Sequence, residues 1–377
     1  MTAKTYPASL PGKADHIPVL RAVSIKSLAR SLGFSACGIA KADAVEESIA
    51  RRYRRWLENG EEASMSYMAN YLEKRLDPRL LVPGVRSIVS LALNYAPSQL
   101  LPKGEYQFAA YALGKDYHDL MKERMRQLAG KIKELHPLLP FLPRKETHAT
   151  FPPSQQESLP IRRQAMPASS AEDPPQTSRP CTASSSPAPQ REPGWGCFCD
   201  TAPVLERYWA QKAGLGWVGR NHQLIIPHAG SMFFLGEIFL PFEVDVYDES
   251  MPDRCGKCHR CVDACPTRAI VPGEDFHASR CLSYQLIENR GELSEEAKAA
   301  MGDTIYGCDR CQTACPWNRF ATPSTEPELQ PKPELLSMSK EKWHRLTVED
   351  YRRLFKGSAV KRAKFDGLKR NIQAKEQ

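Results

Sequence analysis

Long apolar runs are the first thing that this chain of 377 residues lacks. No stretch approaches the roughly 18 consecutive apolar residues that a transmembrane helix needs, so the sequence predicts no membrane span and no membrane partner. The opening residues, Met1-Thr-Ala-Lys-Thr-Tyr-Pro, also lack the apolar segment of a secretory signal. Because twelve cysteines without such a signal indicate a reducing compartment, we expect a cytoplasmic protein.

Two groups of cysteines lie in the C-terminal part of the chain. The first reads Cys255-Gly-Lys-Cys258-His-Arg-Cys261-Val-Asp-Ala-Cys265-Pro266, and the second reads Cys308-Asp-Arg-Cys311-Gln-Thr-Ala-Cys315-Pro316. Cysteines at consecutive two-residue spacings, followed after three residues by a further cysteine and a proline, are typical of bacterial two-cluster ferredoxins. The spacing therefore predicts two 4Fe-4S clusters and a redox function.

The second group lacks its first cysteine, because Ile305 occupies that position. Cys281, which lies upstream, is the natural replacement. The last cysteine of each run ligates the other cluster in this pattern. One predicted cluster therefore takes Cys255, Cys258, Cys261 and Cys315. The other takes Cys265, Cys281, Cys308 and Cys311.

Other uses of cysteine fit less well. Zinc sites favour Cys-x-x-Cys pairs that lie roughly 12–20 residues apart, and disulfide frameworks belong to oxidising compartments. Cys37 lies in an apolar stretch and is most simply a small buried residue. Cys197 and Cys199 could be strand residues or a reactive pair, and we favour strand residues.

The pattern of apolar residues predicts an α+β body before the cysteine groups. Helices are expected over 20–33, 44–58, 117–135 and 203–214, and strands over 34–40, 85–95, 195–199, 224–227 and 232–240, the last two joined through Gly230. Residues 152–193 hold ten of the 31 prolines, which predicts a disordered insertion. We expect a catalytic core over 1–240, a ferredoxin-like domain over 241–325 and a helical basic segment over 326–377.

Positive charge is concentrated at the C-terminal end of the sequence. The net charge is +8, and residues 351–377 hold nine Lys or Arg against two acids. Such a segment is either a nucleic-acid contact or a solvated helix face, and charge alone somewhat favours the helix face.

Motifs spread over residues 20–371 occur in the order seen in one enzyme family. They are Gly114-Lys115-Asp116-Tyr117-His118, Cys199-Asp200-Thr201-Ala202-Pro203, Gly214-Leu215-Gly216-Trp217-Val218-Gly219-Arg220-Asn221, Gly230-Ser231-Met232-Phe233-Phe234-Leu235-Gly236-Glu237, Ser283-Tyr284 and Cys315-Pro316-Trp317-Asn318. Together they resemble the epoxyqueuosine reductase family. The proline-rich insertion departs from that pattern.

The resemblance implies an activity and its partners. Members reduce the epoxide of epoxyqueuosine at the tRNA wobble position to queuosine, with cobalamin and two 4Fe-4S clusters. The implied fold is a cobalamin-binding α/β core, similar to that of reductive dehalogenases, fused to the ferredoxin-like module. We expect tRNA as the macromolecular partner, an external electron donor such as flavodoxin or ferredoxin, and a monomer.

The resemblance also implies site residues. Asp200 is the expected proton donor, although by local sequence alone it is a helix cap. Burial against the corrin is expected to raise the pKa of Asp200 from its ordinary value near 3.9. The expected cobalamin contacts, each of which could instead serve a turn or helix end, are Arg75, Tyr111, Asp116, Asp200, Asn221, Gln223, Ser231, Ser283 and Tyr284. The expected tRNA contacts are Lys361, Arg362, Lys369 and Arg370.

Two other functions compete with this one. A reductive dehalogenase-like enzyme would use the same cofactors on a small molecule, but the basic C-terminal segment disfavours it. A ferredoxin-type electron carrier would need no large body before its clusters.

Overall fold

The computed structural model describes residues 20–135, 193–273 and 275–375. Its strands are β1 (Ala36–Lys41), β2 (Ser87–Asn94), β3 (Gln107–Phe108), β4 (Gly196–Phe198), β5 (Trp217–Val218), β6 (Leu224–Ile225), β7 (Phe233–Leu240) and β8 (Thr304–Tyr306). The predicted insertion at 152–193 lies outside these residues except for Pro193.

The α-helices cover both faces of the main sheet and build the C-terminal part. They are α1 (Ala22–Ser31), α2 (Glu47–Glu58), α3 (Leu72–Leu76), α4 (Pro78–Leu81), α5 (Tyr117–Leu135), α6 (Glu206–Lys212), α7 (Arg260–Asp263), α8 (Leu282–Ile287), α9 (Glu295–Ala300), α10 (Arg310–Thr313), α11 (Pro333–Leu336), α12 (Lys340–His344), α13 (Val348–Leu354) and α14 (Lys364–Gln373). Short 3-10 helices span Ser66–Met68, Ala110–Ala112, Ala278–Arg280, Pro316–Phe320, Pro327–Leu329 and Ala359–Ala363.

The main sheet is antiparallel and has the strand order β1-β2-β7-β4. One row of residues crosses all four strands: Gly38 lies opposite Ser90, Ser90 opposite Glu237, and Glu237 opposite Phe198. Directly opposed residues of an antiparallel pair share a face of the sheet. The polar positions Ser90 and Glu237 are therefore neighbours on one face.

Helix α6 covers that face. Its residues Trp209 and Ala210 are buried in a cluster with Phe198 and Phe239. A Cβ atom on Gly38 would lie only 1.9 Å from the carbonyl oxygen of Ala213, the residue that follows α6. Glycine is therefore required at position 38 for α6 to lie this close to the sheet.

Helix α5 covers the opposite face at Gly236, where an added Cβ atom would lie 2.8 Å from the Met125 sulfur. Its buried residues Met121, Met125, Leu128 and Ile132 recur at helical spacing. Helices therefore cover both faces of the sheet, and the accessible functional side chains lie at the strand ends.

The C-terminal helices share a hydrophobic core with earlier parts of the chain. Trp343 and Phe355 pack against Phe108, with ring centroids 5.3 and 5.9 Å from it. The same core contains Leu286 from α8 and Tyr306 from β8. The basic segment is therefore held through its apolar side chains.

The predicted α+β class is confirmed. The predicted strands at 224–227 and 232–240 exist but do not pair with each other: β6 pairs with β5, while β7 lies in the main sheet. The predicted domain boundaries stay predictions. Among the described residues, no helix has the length and apolar character needed to cross a membrane.

Candidate active site

Asp200 lies in the loop between β4 and α6. Its backbone is left-handed, with φ of 59°, a conformation that aspartate tolerates better than most residues. The N–H of Thr201 donates to the carbonyl of Cys199 at 2.6 Å and tightens the bend. Because α6 begins only at Glu206, Asp200 is not the helix cap that local sequence suggests. Its side chain is 59% exposed.

The start of α5 supplies the partners of the Asp200 carboxylate. The hydroxyl of Tyr117 donates to Oδ2 at 2.8 Å, and Nε2 of His118 lies 3.3 Å from the same oxygen. Nδ1 of His118 lies 2.7 Å from Oδ1 of Asp116. The Tyr117 ring stacks on Phe234 of β7 with a centroid distance of 4.0 Å. The sheet therefore fixes the ring that orients Asp200.

These contacts determine the protonation states of His118 and Asp200. Hydrogen bonds that the imidazole donates to Asp116 and then to Asp200 raise the pKa of His118 to about 9. The hydrogen bond from His118 holds the pKa of Asp200 below its ordinary value, although partial desolvation by the surrounding protein acts in the opposite direction. The rise in the Asp200 pKa that we expected does not occur in the protein chain alone, because a cationic partner outweighs desolvation. At neutral pH His118 carries the proton and Asp200 is ionised.

Arg75 is the expected cofactor residue with the most unused binding capacity. It is buried, its Nε has no partner among the described residues, and one terminal nitrogen lies 3.5 Å from the carbonyl of Tyr67. A guanidinium has five N–H donors, so this side chain retains capacity for carbonyl acceptors of a ligand. Arg75 is therefore not a solvated surface charge.

Several other expected cofactor residues have internal partners. Ser231 accepts a hydrogen bond from Nδ2 of Asn318 at 3.0 Å, and the Tyr111 hydroxyl donates to that of Tyr306 at 3.3 Å. The Tyr284 hydroxyl lies 2.6 Å from the Ser64 hydroxyl.

Further expected residues occupy helix or turn positions. Asp116 accepts the His118 backbone N–H at 3.1 Å and so begins α5. Buried Asn221 accepts the N–H of Gln223 at 3.2 Å, and its Nδ2 lies 3.5 Å from the carbonyl of Cys311. Ser283 lies in α8 beside Tyr284.

The cysteines fall into two spatial sets. Burial, then the neighbouring thiols of Cys255 and Cys315, raise the pKa of Cys261. Burial, and then the neighbouring thiols of Cys255 and Cys258, raise the pKa of Cys315. These four residues form the first set.

The second set comprises Cys265, Cys281, Cys308 and Cys311. Burial raises the pKa of Cys308 to about 11, and the neighbouring Cys281 adds to the rise. Burial also raises the pKa of Cys311. The neighbouring thiols of Cys308, Cys281 and, more weakly, Cys265 add to this rise. Among the described residues, none of these interactions joins one set to the other.

The sets suit a cluster better than a single ion. No three His, Cys, Asp or Glu side chains among the described residues lie close enough to hold one metal ion. Thiolates around a cubane are held apart by the cluster body, so sulfurs spaced for a cluster are too far apart for one ion. Backbone N–H groups face two of the sulfurs, from Arg220 to Cys255 at 3.5 Å and from Ala269 to Cys265 at 3.2 Å.

The four basic residues expected to bind tRNA lie in different surroundings. Lys361 is exposed. Arg362 forms two hydrogen bonds of 2.7 Å with the Glu288 carboxylate and lines a surface cavity of about 370 Å³. Nζ of Lys369 donates to the carbonyl of His344. Arg370 donates to the carbonyls of Asn289 at 2.8 Å and Gln285 at 2.9 Å, so its guanidinium is used inside the protein.

Tyr117, His118 and Glu206 contact Asp200, but the sequence did not single them out. The available signal was that Tyr117 and His118 lie in the motif at 114–118, and that Glu206 lies three residues after the motif at 199–203. The sequence could not show that these motifs, about eighty residues apart, meet at one carboxylate.

An α+β body joined to a ferredoxin-type cysteine module defines a redox protein of the iron–sulfur class. A family model for a 4Fe-4S double cluster binding domain matches residues 254–318, which confirms the predicted clusters. A second model, for epoxyqueuosine reductase QueG, matches residues 75–141.

Curated relatives and a solved structure define the family. An epoxyqueuosine reductase of Cellulophaga algicola is 38% identical, with 96% of this chain and 98% of that protein covered. One from Leadbetterella byssophila is 40% identical, with 92% and 96% covered. The crystal structure of an epoxyqueuosine reductase with an epoxyqueuosine-modified tRNA-Tyr stem loop matches with a TM-score of 0.72 and 25% identity, over 93% of this chain and 80% of that one. The chain belongs to the epoxyqueuosine reductase family.

Proposed function

We propose that this protein reduces the epoxide of epoxyqueuosine in tRNA to the alkene of queuosine. Family membership indicates the reaction, and the observation that carries it to particular residues is the contact of Asp200 with Tyr117 and His118. Converting an epoxide to an alkene consumes a pair of electrons and a pair of protons and releases the oxygen as water. The site therefore needs both an electron supply and a proton supply.

The proton supply is assigned to His118 and Asp200. His118 holds a proton at neutral pH because two carboxylates raise its pKa to about 9. Nε2 lies 3.3 Å from Oδ2 of Asp200, so the proton can pass to that oxygen and on to the substrate oxygen. Tyr117 keeps the acceptor oxygen in place, and Asp116 orients the imidazole.

Cobalamin is the proposed redox cofactor. When bound, it supplies a strongly reducing, nucleophilic metal centre. The residues present fit such a group: Arg75 is buried with an unpartnered Nε, and corrin side-chain amides offer the carbonyl acceptors that it lacks. Arg75 is therefore the proposed contact with the strongest support. Tyr111 and Ser231 would contact the cofactor only alongside their internal partners.

The two cysteine sets are proposed as the ligands of the two 4Fe-4S clusters, with Cys315 and Cys265 exchanged between the runs. The carbonyl of Cys311 in the second set lies 3.5 Å from Nδ2 of Asn221, a proposed cofactor contact. We assign that cluster to the position next to the cofactor. Electrons then enter through the first cluster from an external donor such as flavodoxin or ferredoxin.

The substrate is proposed to be tRNA, with the basic C-terminal segment on its phosphates. Reaching Asp200 requires the modified base to leave the anticodon stack, at a cost of a few kcal/mol. A monomer and a cytoplasmic location are part of the same proposal.

The test is a direct assay of purified, anaerobic protein with a chemical reductant and epoxyqueuosine-containing tRNA. We expect queuosine among the digested nucleosides by mass spectrometry. Asp200→Asn should lower kcat by about 10²–10⁴-fold, because the carboxylate that relays the proton is gone. Asp119→Asn changes an exposed carboxylate on helix α5, which also carries Tyr117 and His118, and should leave kcat unchanged. Absence of queuosine from protein with full iron and cobalamin would refute the proposed function.

A further inference from the structure

Three carboxyl groups lead from the candidate active site into the sheet, and we refer to Asp200, Glu206 and Glu237 as the carboxyl column. Asp200 is largely exposed, Glu206 at the start of α6 is half-buried, and Glu237 in the central strand β7 is 0% exposed. Both oxygens of Glu237 lack a hydrogen-bond partner among the described residues, as does Oγ of Ser90 directly opposite. A buried, unpaired carboxylate costs several kcal/mol, so Glu237 is a neutral acid.

Glu206 contacts the backbone of Asp200. Its Oε1 accepts the N–H of Asp200, whose φ is 59°. A left-handed backbone at a residue other than glycine persists only where its surroundings enforce it. This hydrogen bond ties that backbone to the first residue of α6, which itself packs on the sheet at Gly38.

The negative charge of the carboxyl column lies on Asp200, its exposed member. Burial, followed by the negative charge of Asp200, raises the pKa of Glu206 to about 8. Burial, and then the charge of Glu206, raise the pKa of Glu237 well above its ordinary value. Asp200 is stabilised in its ionised form by His118.

Other groups around Glu206 act in both directions. The hydrogen bond from the Asp200 N–H, followed by Arg207 and His118, favours its ionised form, but burial and the negative charge of Asp200 outweigh them. The titratable and charged groups that face Glu206 are Asp200, Arg207, His118, Tyr117, Cys199 and Glu237.

We propose that Glu206 is a positioning residue for Asp200: as a neutral acid it holds the Asp200 N–H, and Glu237 beneath it extends the same uncharged layer, so that Asp200 carries the one negative charge of the column. If Glu206 ionises, a second negative charge arises beside the Asp200 carboxylate and repels it from its place against Tyr117 and His118. The proposal rests on the proposed function only where Asp200 is taken as the proton relay.

The first test does not depend on activity. Infrared difference spectra of the purified protein should show a protonated carboxyl group that is lost as pH rises through about 8. That signal should be absent in Glu206→Gln, and a second one, which persists to higher pH, should be absent in Glu237→Gln. If both signals persist in the variants that should remove them, the proposal is overturned.

The second test compares two replacements of Glu206. Gln keeps an oxygen for the Asp200 N–H and cannot ionise, whereas Ala removes the acceptor. Hydrogen exchange of the Asp200 amide should be unchanged in Glu206→Gln and about tenfold faster or more in Glu206→Ala. Equal exchange in both variants would overturn the assignment of Glu206 as the residue that holds Asp200.

Kinetics give the third test. In the unmodified enzyme kcat should fall as pH rises through about 8; in Glu206→Gln the fall should move to about 9, where His118 titrates. Glu206→Ala should lower kcat about tenfold with little change in KM, because substrate binding does not use this residue. An unchanged pH profile in Glu206→Gln contradicts the proposal. If no variant or parent reduces epoxyqueuosine, the proposed function fails, while the infrared and exchange tests still decide the role of Glu206.

Discussion

His118 and Asp200 divide one proton between them, and their surroundings decide which side chain holds it. In the protein chain alone the proton lies on His118, because Asp116 and Asp200 both stabilise the imidazolium. A bound ligand that excludes water from Asp200 would raise the pKa of its carboxyl group. The proton would then move to Asp200 when the ligand binds, which is when the substrate needs it.

Asp116→Asn tests this division. The pKa of His118 should fall from about 9 toward its ordinary value of 6.5, because its largest stabilising hydrogen bond loses its charge. A raised histidine pKa stabilises the folded protein fully below pH 6.5, and this contribution is lost as pH rises through about 9. The variant should therefore lose about 1–2 kcal/mol of stability at pH 6 and almost nothing above pH 9.

NMR titration of the imidazole of His118 measures the shift directly. Asp119→Asn, which removes an exposed carboxylate that does not set the His118 pKa, is the matched control. A His118 pKa that stays near 9 in Asp116→Asn would show that Asp200 alone sustains it.

Single residues were predictable from sequence only where a motif carries chemistry of its own. The cysteine spacing predicts clusters because a cubane needs thiolates at short intervals. Asp200 became a candidate through the family resemblance, since an aspartate after a strand has many uses. Its partners Tyr117 and His118 could not be found, because only the packing of α5 on β7 brings them to it.

Helix α6 is the element that connects the sheet with the candidate active site. It packs on the face that carries Ser90 and Glu237, and it begins with Glu206, which holds Asp200. Any change in the distance between α6 and the sheet therefore moves Asp200 as well.

Gly38→Ala should push α6 away from the sheet. The added methyl group would lie 1.9 Å from the Ala213 carbonyl oxygen, so the helix must move, at a cost of about 2–4 kcal/mol. Gly130→Ala in α5 is the matched control: nothing lies within 4 Å of the added atom, and alanine should stabilise this helix by about 0.5–1 kcal/mol. Thermal unfolding measures both, and a neutral Gly38→Ala would mean that α6 adjusts without loss.

Sequence periodicity located the longer elements well. Helix α5 begins and ends at the predicted residues 117 and 135. Strand β1 runs from Ala36 to Lys41 where 34–40 was predicted. The pairing of β6 with β5, and of β7 with β2 and β4, could not be predicted, since apolar runs do not specify which strand is the neighbour.

Across the whole molecule, residues far apart in sequence complete each predicted cluster. Cys281 is the clearest case, because it lies outside both runs and its thiol interacts with Cys308 and Cys311. The sequence could propose Cys281 because Ile305 left one ligand unfilled.

Cys281→Ser should remove one cluster. Iron should fall from about eight to about four atoms per chain, together with activity. Cys37→Ser replaces a cysteine of β1, whose charged neighbours are Lys26, Asp248 and Arg30 and not other thiols, and it should leave iron unchanged. Full iron content in Cys281→Ser would make the ligand assignment wrong.

The basic C-terminal segment combines two roles in one stretch of chain. Arg370 ties α14 to residues 285–291, whereas Lys361 is exposed and makes no side-chain hydrogen bond or ion pair with the described residues. Composition could not separate these roles, because both residues simply add positive charge.

Lys361→Ala should weaken tRNA binding and reduce the slope of log affinity against log salt by about 0.9. Arg370→Ala should instead lower the melting temperature, because backbone carbonyls lose their donors. Filter binding over a range of salt, together with thermal unfolding, distinguishes the two. An unchanged salt slope in Lys361→Ala would remove it from the tRNA contact.

Two indole rings surround part of the first cysteine set. Trp217 and Trp317 are nearly perpendicular, with centroids 4.9 Å apart, and share a small apolar cluster with Cys255 and Cys315. An iron–sulfur cluster absorbs broadly where indole emits and accepts excitation energy from it. Ultraviolet emission from these tryptophans should therefore be weak in loaded protein and strong in iron-free protein, which gives an optical gauge of cluster occupancy that needs no added label.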